Sequence, residues 1–159
     1  MAAAYCIKTV QKIPVSREKA WAFFSNPANL QTITPEGMGF EIISRHHGDK
    51  MYAGQLIEYK VKPVAGIPVY WMTEITQVKE GEYFIDEQRF GPYTLWHHQH
   101  HFREISGGVE MTDIVHYKIP LGFLGRIAQG LFVKNKLRKI FDFRYRKVEE
   151  LFGKWETGG

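Results

Sequence analysis

The sequence predicts an α+β fold: a curved seven-stranded antiparallel sheet around a long C-terminal helix, with two short helices after the first strand. Three observations predict it. A β-branched, aromatic run is followed at once by helical spacing; six later segments repeat with a period of two between short turn signals; and the end of the chain returns to a helical period.

Residues 5–13 (YCIKTVQKI) are rich in strand formers and stop at Pro14. Ser16 ahead of Arg17, Glu18 and Lys19 reads as an N-cap and first turn, and Ala20, Trp21, Phe23 and Phe24 supply an apolar stripe. Asn26-Pro27 ends that helix, because the residue before a proline is pushed out of the helical region. Residues 28–33 read as the second short helix, closed by Pro35 and Gly37.

Strand candidates follow at 39–46, 51–62, 67–78, 82–90, 93–105 and 109–119. Between them stand Gly48-Asp49, Pro63 with Gly66-Ile67-Pro68, Glu80-Gly81, Gly91-Pro92 and Gly107-Gly108, all turn formers. Sequential strands on short links form an antiparallel meander. From Leu121 the period is helical: Leu124, Ile127, Ala128 and Leu131 form one stripe, and Leu137, Ile140, Phe141, Tyr145, Val148 and Leu151/Phe152 another. The stripes do not join across Gly130 to Asn135, which predicts a kink or break there. No repeat or linker intervenes, so residues 1–153 are expected to form one domain and 154–159 a frayed end.

Hydrophobic residues at 44% and charged residues at 24% place the chain among globular proteins rather than disordered ones. Aromatic content is high at 14%, which suits a protein that lines a cavity as well as filling a core. The single cysteine, Cys6, excludes an internal disulfide and is expected to be a buried, inert thiol. The start of the chain has neither a charged n-region nor a long apolar run, and no stretch approaches the ~20 apolar residues of a membrane span. The expected location is the cytoplasm. Lys134, Lys136, Arg138, Lys139, Arg144, Arg146 and Lys147 concentrate the basic charge, and read first as a solvated helix face. No nucleic-acid motif accompanies them, so nucleic acid is not an expected partner. A basic helix beside an amphipathic segment could make transient contact with an anionic membrane surface; a protein partner is left open.

The last hairpin is the most informative segment. A two-residue turn at Gly107-Gly108 would place Ile105 opposite Glu110, Phe102 opposite Asp113, His100 opposite Val115 and His98 opposite Tyr117. One face then carries Trp96, His98, His100 and Phe102 with Met111, Asp113, Val115 and Tyr117; the other, with His97, His101 and His116, is the wet one. Asp113 lies diagonal to His100 in this register, within side-chain reach. In the preceding hairpin a turn at Glu80-Gly81 opposes Ile75 to Asp86 and Thr73 to Gln88. It sets Trp71, Thr73 and Ile75 on one face with Phe84, Asp86, Gln88 and Phe90.

The run Phe84, Asp86, Glu87, Gln88, Gly91-Pro92-Tyr93 leads into Trp96, His98, His100 and Phe102, and then Thr112, Asp113, Val115, Tyr117, Pro120 and Gly122. Together with the element order it resembles the SRPBCC superfamily, the START-like and birch-pollen-allergen-like helix-grip proteins, and most of all their uncharacterised bacterial members. The resemblance runs from Tyr5 to Phe152. It implies a cavity between sheet and C-terminal helix, and a ligand that is apolar or amphipathic: a lipid, isoprenoid or polyketide-like molecule.

The expected walls are Trp71, Trp96, Phe102, Val115 and Tyr117, with His98, His100 and Asp113 as a polar anchor. From the helix, Ile140, Phe141, Tyr145 and Val148 would close the cavity, and Arg144 could reach a ligand headgroup. His98, His100 and Asp113 are also the candidate catalytic groups of the alternative, a polyketide cyclase or dehydratase-like enzyme with histidine as acid and base. Neighbouring histidines on a flat strand converge poorly, so neither a metal nor another cofactor is expected. A third reading makes the groove a seat for a peptide or subunit.

Overall fold

The computed structural model describes residues 4–44, 50–64, 67–120, 124 and 132–156. Strand β1 (Tyr5–Ile13) leads into α1 (Arg17–Phe24), where the Ser16 hydroxyl accepts from the Lys19 amide at 3.2 Å. The second expected helix is only a 3-10 turn, Pro27–Leu30, started by the Asn26 side chain on the Ala28 amide; another, Glu36–Met38, follows. Strands β2 (Glu41–Ile42), β3 (Gln55–Val64), β4 (Ile67–Lys79), β5 (Tyr83–Phe90), β6 (Leu95–Ile105) and β7 (Gly108–Lys118) come next, and α2 (Lys134–Phe152) closes the chain. The sheet order is β1-β7-β6-β5-β4-β3-β2, antiparallel throughout. This is the helix-grip architecture: a meander whose last strand returns beside the first and carries the helix across the concave face.

Several boundaries differ from the sequence reading for identifiable reasons. The expected strand at 39–46 shrinks to Glu41–Ile42, an edge pair against Lys60 and Tyr59. The expected strand at 51–62 starts at Gln55, because Gly54 at φ +91° leaves the extended region. Residues 91–94 are a turn held by Gln88: its Nε2 donates to the Tyr93 carbonyl at 2.6 Å and its Oε1 accepts from the Tyr93 amide at 3.2 Å. Phe90, expected on the inner face, is 62% exposed, because the β4–β5 register slips between Met72 and Thr73. The stripe residues Ile127, Ala128 and Leu131, and the Gly48-Asp49 turn, lie outside the described residues; Leu124 is exposed. Gly130 of the expected kink is also outside them, and the regular helix starts at Lys134.

The two hairpin turns decide which residues meet. The β6–β7 turn is Ser106-Gly107, so Ile105 faces Gly108, Phe102 faces Met111, His100 faces Asp113 and His98 faces Val115. Each partner sits two residues from the expected one, which changes the pairs but leaves the faces as expected. Gly107 takes the left-handed backbone at φ +86°. Gly108 is needed for a different reason: a Cβ there would lie 2.2 Å from the Ile13 carbonyl oxygen on β1. In the β4–β5 hairpin the pairs Ile75–Asp86 and Thr73–Gln88 form as expected. The loop has three residues, though, and the register shifts between Ile75 and Gln77 to absorb the extra one.

Among the described residues the core is three clusters rather than one. Ile13, Ala20, Phe24, Phe84, Phe102, Val109, Met111 and Val148 bind α1 and the end of α2 to the sheet. Ile57, Tyr59, Val61 and Ile75 form a second group on β3 and β4, and Val115, Tyr117, Leu137 and Phe141 a third under the start of α2. Cys6 is exposed, not buried, since strict alternation along β1 sends it outward with Lys8, Val10 and Lys12. Among the described residues no helix is long and apolar enough to cross a membrane.

Gly108→Ala is expected to cost roughly 1–3 kcal/mol in chemical denaturation, the range of an overpacked site. Gly37→Ala, where an added Cβ meets nothing within 4 Å, should stay within ~0.5 kcal/mol. Equal effects of the two would remove the β1 contact from the account.

Candidate functional site

Strands β5, β6 and β7 are neighbours, and their inward residues at the middle of the sheet are charged. Asp86 on β5 pairs directly with His98 on β6, and His100 on β6 pairs directly with Asp113 on β7. Arg144, one turn along α2 from Phe141, reaches down from the helix. Five ionisable side chains thus share one patch of a largely apolar face.

The contacts are close. His100 Nε2–H donates to Asp86 Oδ2 at 2.8 Å, and His98 Nε2–H donates to Asp113 Oδ1 at 3.1 Å. A carboxylate can only accept, which fixes those ring nitrogens as the protonated ones. His100 Nδ1 lies 2.8 Å from Asp113 Oδ1 but is not aligned for a hydrogen bond, so this is a charge contact at short range. His98 Nδ1 is 3.7 Å from Asp86 Oδ2, and an Arg144 Nη2 is 3.7 Å from Asp113 Oδ1. Phe84 stacks on His100 at 4.1 Å, the two imidazole centroids are 3.7 Å apart, and Phe141 meets His98 edge-on.

Burial opposes ionisation of both aspartates. In Asp113 it is overridden by Arg144, by the close contact with charged His100 and by the hydrogen bond from His98, which hold the carboxyl well below the usual carboxylate range. In Asp86 burial is overridden by the His100 hydrogen bond and the neighbouring positive charges, and the carboxyl is again lowered. The histidines split. Burial would lower His100, but Asp113 and Asp86 outweigh it and raise it; His98 is lowered by burial and by the charge on His100. At a pH between the lowered His98 and the raised His100 values, the corner holds two carboxylates, one imidazolium (His100), one guanidinium (Arg144) and a neutral His98. The corner then carries no net charge. In this state the unprotonated Nδ1 of His98 faces Asp86 without a hydrogen bond.

The patch forms one corner of a cavity of about 360 Å³ between the sheet, the 3-10 turns and α2. Of the residues expected to form the site, Trp71, Trp96, His98, His100, Ile140, Phe141 and Arg144 line it. Phe102, Val115, Tyr117 and Val148 do not, because they are packed into the clusters that support its walls. Asp113 lies behind the histidines, and Tyr145 is 40% exposed on the flank of α2, its carbonyl accepting from the Gln11 side chain. Sequence reasoning did not assign Asp86, Tyr59, Thr73, Tyr93, Phe40 or Met51, all of which line the cavity. Asp86 carried a signal: a carboxylate between Phe84 and Gln88 on a face already read as inward. The 3-10 turn residues carried none.

No protein-family model matches the chain, and no curated protein matches it in sequence at a significant level. Solved structures match across nearly the whole length. A Chromobacterium violaceum protein superposes with a TM-score of 0.72 at 12% identity, covering 93% of this chain and 96% of its own. A START superfamily protein from Mycobacterium smegmatis gives 0.68 at 15% identity, covering 92% and 98%. The major latex-like protein of Panax ginseng gives 0.68 at 12% identity, covering 95% and 99%. At such identities the likeness is one of fold: the chain has the START-like helix-grip fold that its sequence resembled.

Histidine NMR should show His100 titrating above the ordinary value of about 6.5 and His98 below it. In Asp113→Asn the His100 value should fall. A raised folded-state value means that the His100 contribution to stability is full below about pH 6.5 and is lost as pH rises through the raised value. The depressed Asp113 carboxyl acts at the other end: its contribution is present above about pH 3.9 and disappears as pH falls through its lowered value. Two histidines with ordinary, equal values would contradict the charge assignment.

Proposed function

We infer that the protein binds, and passes on, an apolar or amphipathic small molecule of the lipid, isoprenoid or polyketide kind, held in the cavity between the sheet and α2. One observation carries this: a cavity walled by Trp71, Trp96, Tyr59, Phe40, Ile57 and Phe141 has a polar corner at His98, His100 and Asp86. A volume of about 360 Å³ falls in the range of small-molecule sites, and apolar walls with a few convergent polar groups are their usual build. The walls would hold the apolar body by burial, and the corner would orient the polar end.

The same cavity favours delivery at a membrane. In the antiparallel meander the β3–β4 and β5–β6 connections and the end of β7 lie at one end of the sheet. Ile67, Phe90 and Phe132 are exposed at that end, and Pro92, Tyr93, Ile119 and Pro120 there line the cavity. The first turn of α2 carries Lys134 and Lys136 with no acidic residue and no side-chain cap, and the exposed Arg138 and Lys139 follow. Cations at a helix N-terminus oppose its dipole, so this arrangement suits an anionic surface outside the protein.

A second reading has a specific observation behind it. His98 is neutral and oriented by Asp113, the state a general base needs. A cyclase or dehydratase acting on a polyketide-like substrate would use it.

Native mass spectrometry of the purified protein tests the first reading: a released apolar molecule near stoichiometric occupancy is the expected result. Failure of lipid, isoprenoid and polyketide-like probes to bind or to quench Trp71 and Trp96 fluorescence would refute it. His98→Gln separates the two readings: a carrier loses affinity modestly, whereas an enzyme loses turnover by about 10²–10⁴ with little change in binding. Co-sedimentation with anionic vesicles at low salt should be lost in Arg138→Glu/Lys139→Glu; equal binding by the variant removes the membrane step.

A further inference from the structure

Asp86, His98 and His100 each offer a donor atom at the cavity wall, and the three atoms lie within 4.8 Å of one another. Asp86 Oδ2 is 2.8 Å from His100 Nε2 and 3.7 Å from His98 Nδ1. Ligand bonds of 2.0–2.2 Å imply donor–donor edges of about 2.8–3.1 Å in octahedral and about 3.3–3.6 Å in tetrahedral geometry, so small side-chain movements suffice. Neighbouring histidines on a flat strand would diverge. Here they lie on the concave face of a curved sheet, and their ring centroids approach to 3.7 Å.

The remote nitrogens complete the pattern. His98 Nε2 and His100 Nδ1 both lie on one oxygen of Asp113, at 3.1 and 2.8 Å. Ligating histidines characteristically turn the other ring nitrogen toward an outer carboxylate, which fixes their orientation and raises their basicity. Asp113 accepts from His98 in this way and lies against His100 Nδ1, from behind the wall, with Arg144 beside it. The residues therefore sort into three inward donors and one outer carboxylate, with room in front of the donors.

The geometry points to a divalent transition-metal site formed by Asp86, His98 and His100, oriented by Asp113 and open to the cavity, with the His100 Nε2 proton released to solvent as the metal takes its place. Two imidazoles and a carboxylate suit zinc, iron, cobalt or nickel rather than calcium or magnesium, which take all-oxygen shells. The open positions would take water or an oxygen at the polar end of a bound molecule.

Cobalt(II) titration of chelator-treated protein tests this, read by d–d absorption and by metal content after gel filtration. A single equivalent with ligand-field bands is expected. Asp86→Asn and His98→Gln should abolish the bands, and Asp113→Asn should weaken binding by about 10–100-fold. Wild-type protein that binds no cobalt at micromolar concentration overturns the proposal, and so do bands that persist in His98→Gln. The wild-type result stands even if a variant fails to fold. The apolar-ligand reading is independent of it: cargo without metal sinks only this proposal, and metal without cargo only the other.

Discussion

The charge-neutral corner of Asp86, Asp113, His98, His100 and Arg144 is the constraint on which the rest of the structure depends. An isolated buried charge is prohibitive, and removing one member of a buried pair commonly costs about 3–5 kcal/mol. The five groups are tolerable inside only because each carboxylate meets a cation within a few ångströms. That demands a register correct to the residue on three strands, since a slip of one would send a whole strand's inner set outward. The devices that set register are all visible: the Ser106-Gly107 turn, the Gly108–Ile13 approach, the register shift between Ile75 and Gln77, and the Gln88 bonds across the β5–β6 turn.

The cavity follows from the same constraint. A polar corner in the middle of the sheet cannot be covered by a continuous apolar core without stranding polar atoms. Among the described residues the core instead divides into three clusters around the gap, and α2 spans it with Leu137, Phe141 and Val148 on the inner side. Arg144 belongs to both regimes: its guanidinium lies 5.4 Å over the Phe24 ring while reaching Asp113. Sheet, helix and α1 are thereby tied together at the point where charge is neutralised.

Much of this was legible in the sequence, for reasons that can be named. Strict alternation in Trp96–Phe102 and Met111–Tyr117 fixes which residues face inward, whatever the turn. That is why His98, His100 and Asp113 came out together although the expected pairing was two residues off. Alternation says nothing about the third dimension. It could not show that Phe102 and Tyr117 pack into the walls while Trp71 and Trp96 face the space, nor that Asp113 stands behind the histidines. Asp86 was readable as inward but not as a partner of His100, because that pairing depends on the β5–β6 register across a four-residue turn. Cys6 shows the opposite case: the alternation was present along β1, and the general tendency of cysteine to be buried misled.

The proposed placement of an amphipathic molecule in the cavity, its polar end on the histidine corner, is tested most directly by NMR perturbation mapping with a short-chain amphipathic probe. That placement predicts shifts in the indole N–H signals of Trp71 and Trp96 and in the ring signals of His98 and His100, with His97 and His116 on the outer face unmoved. Shifts confined to the outer-face histidines, or an unperturbed corner under saturating probe, would contradict it.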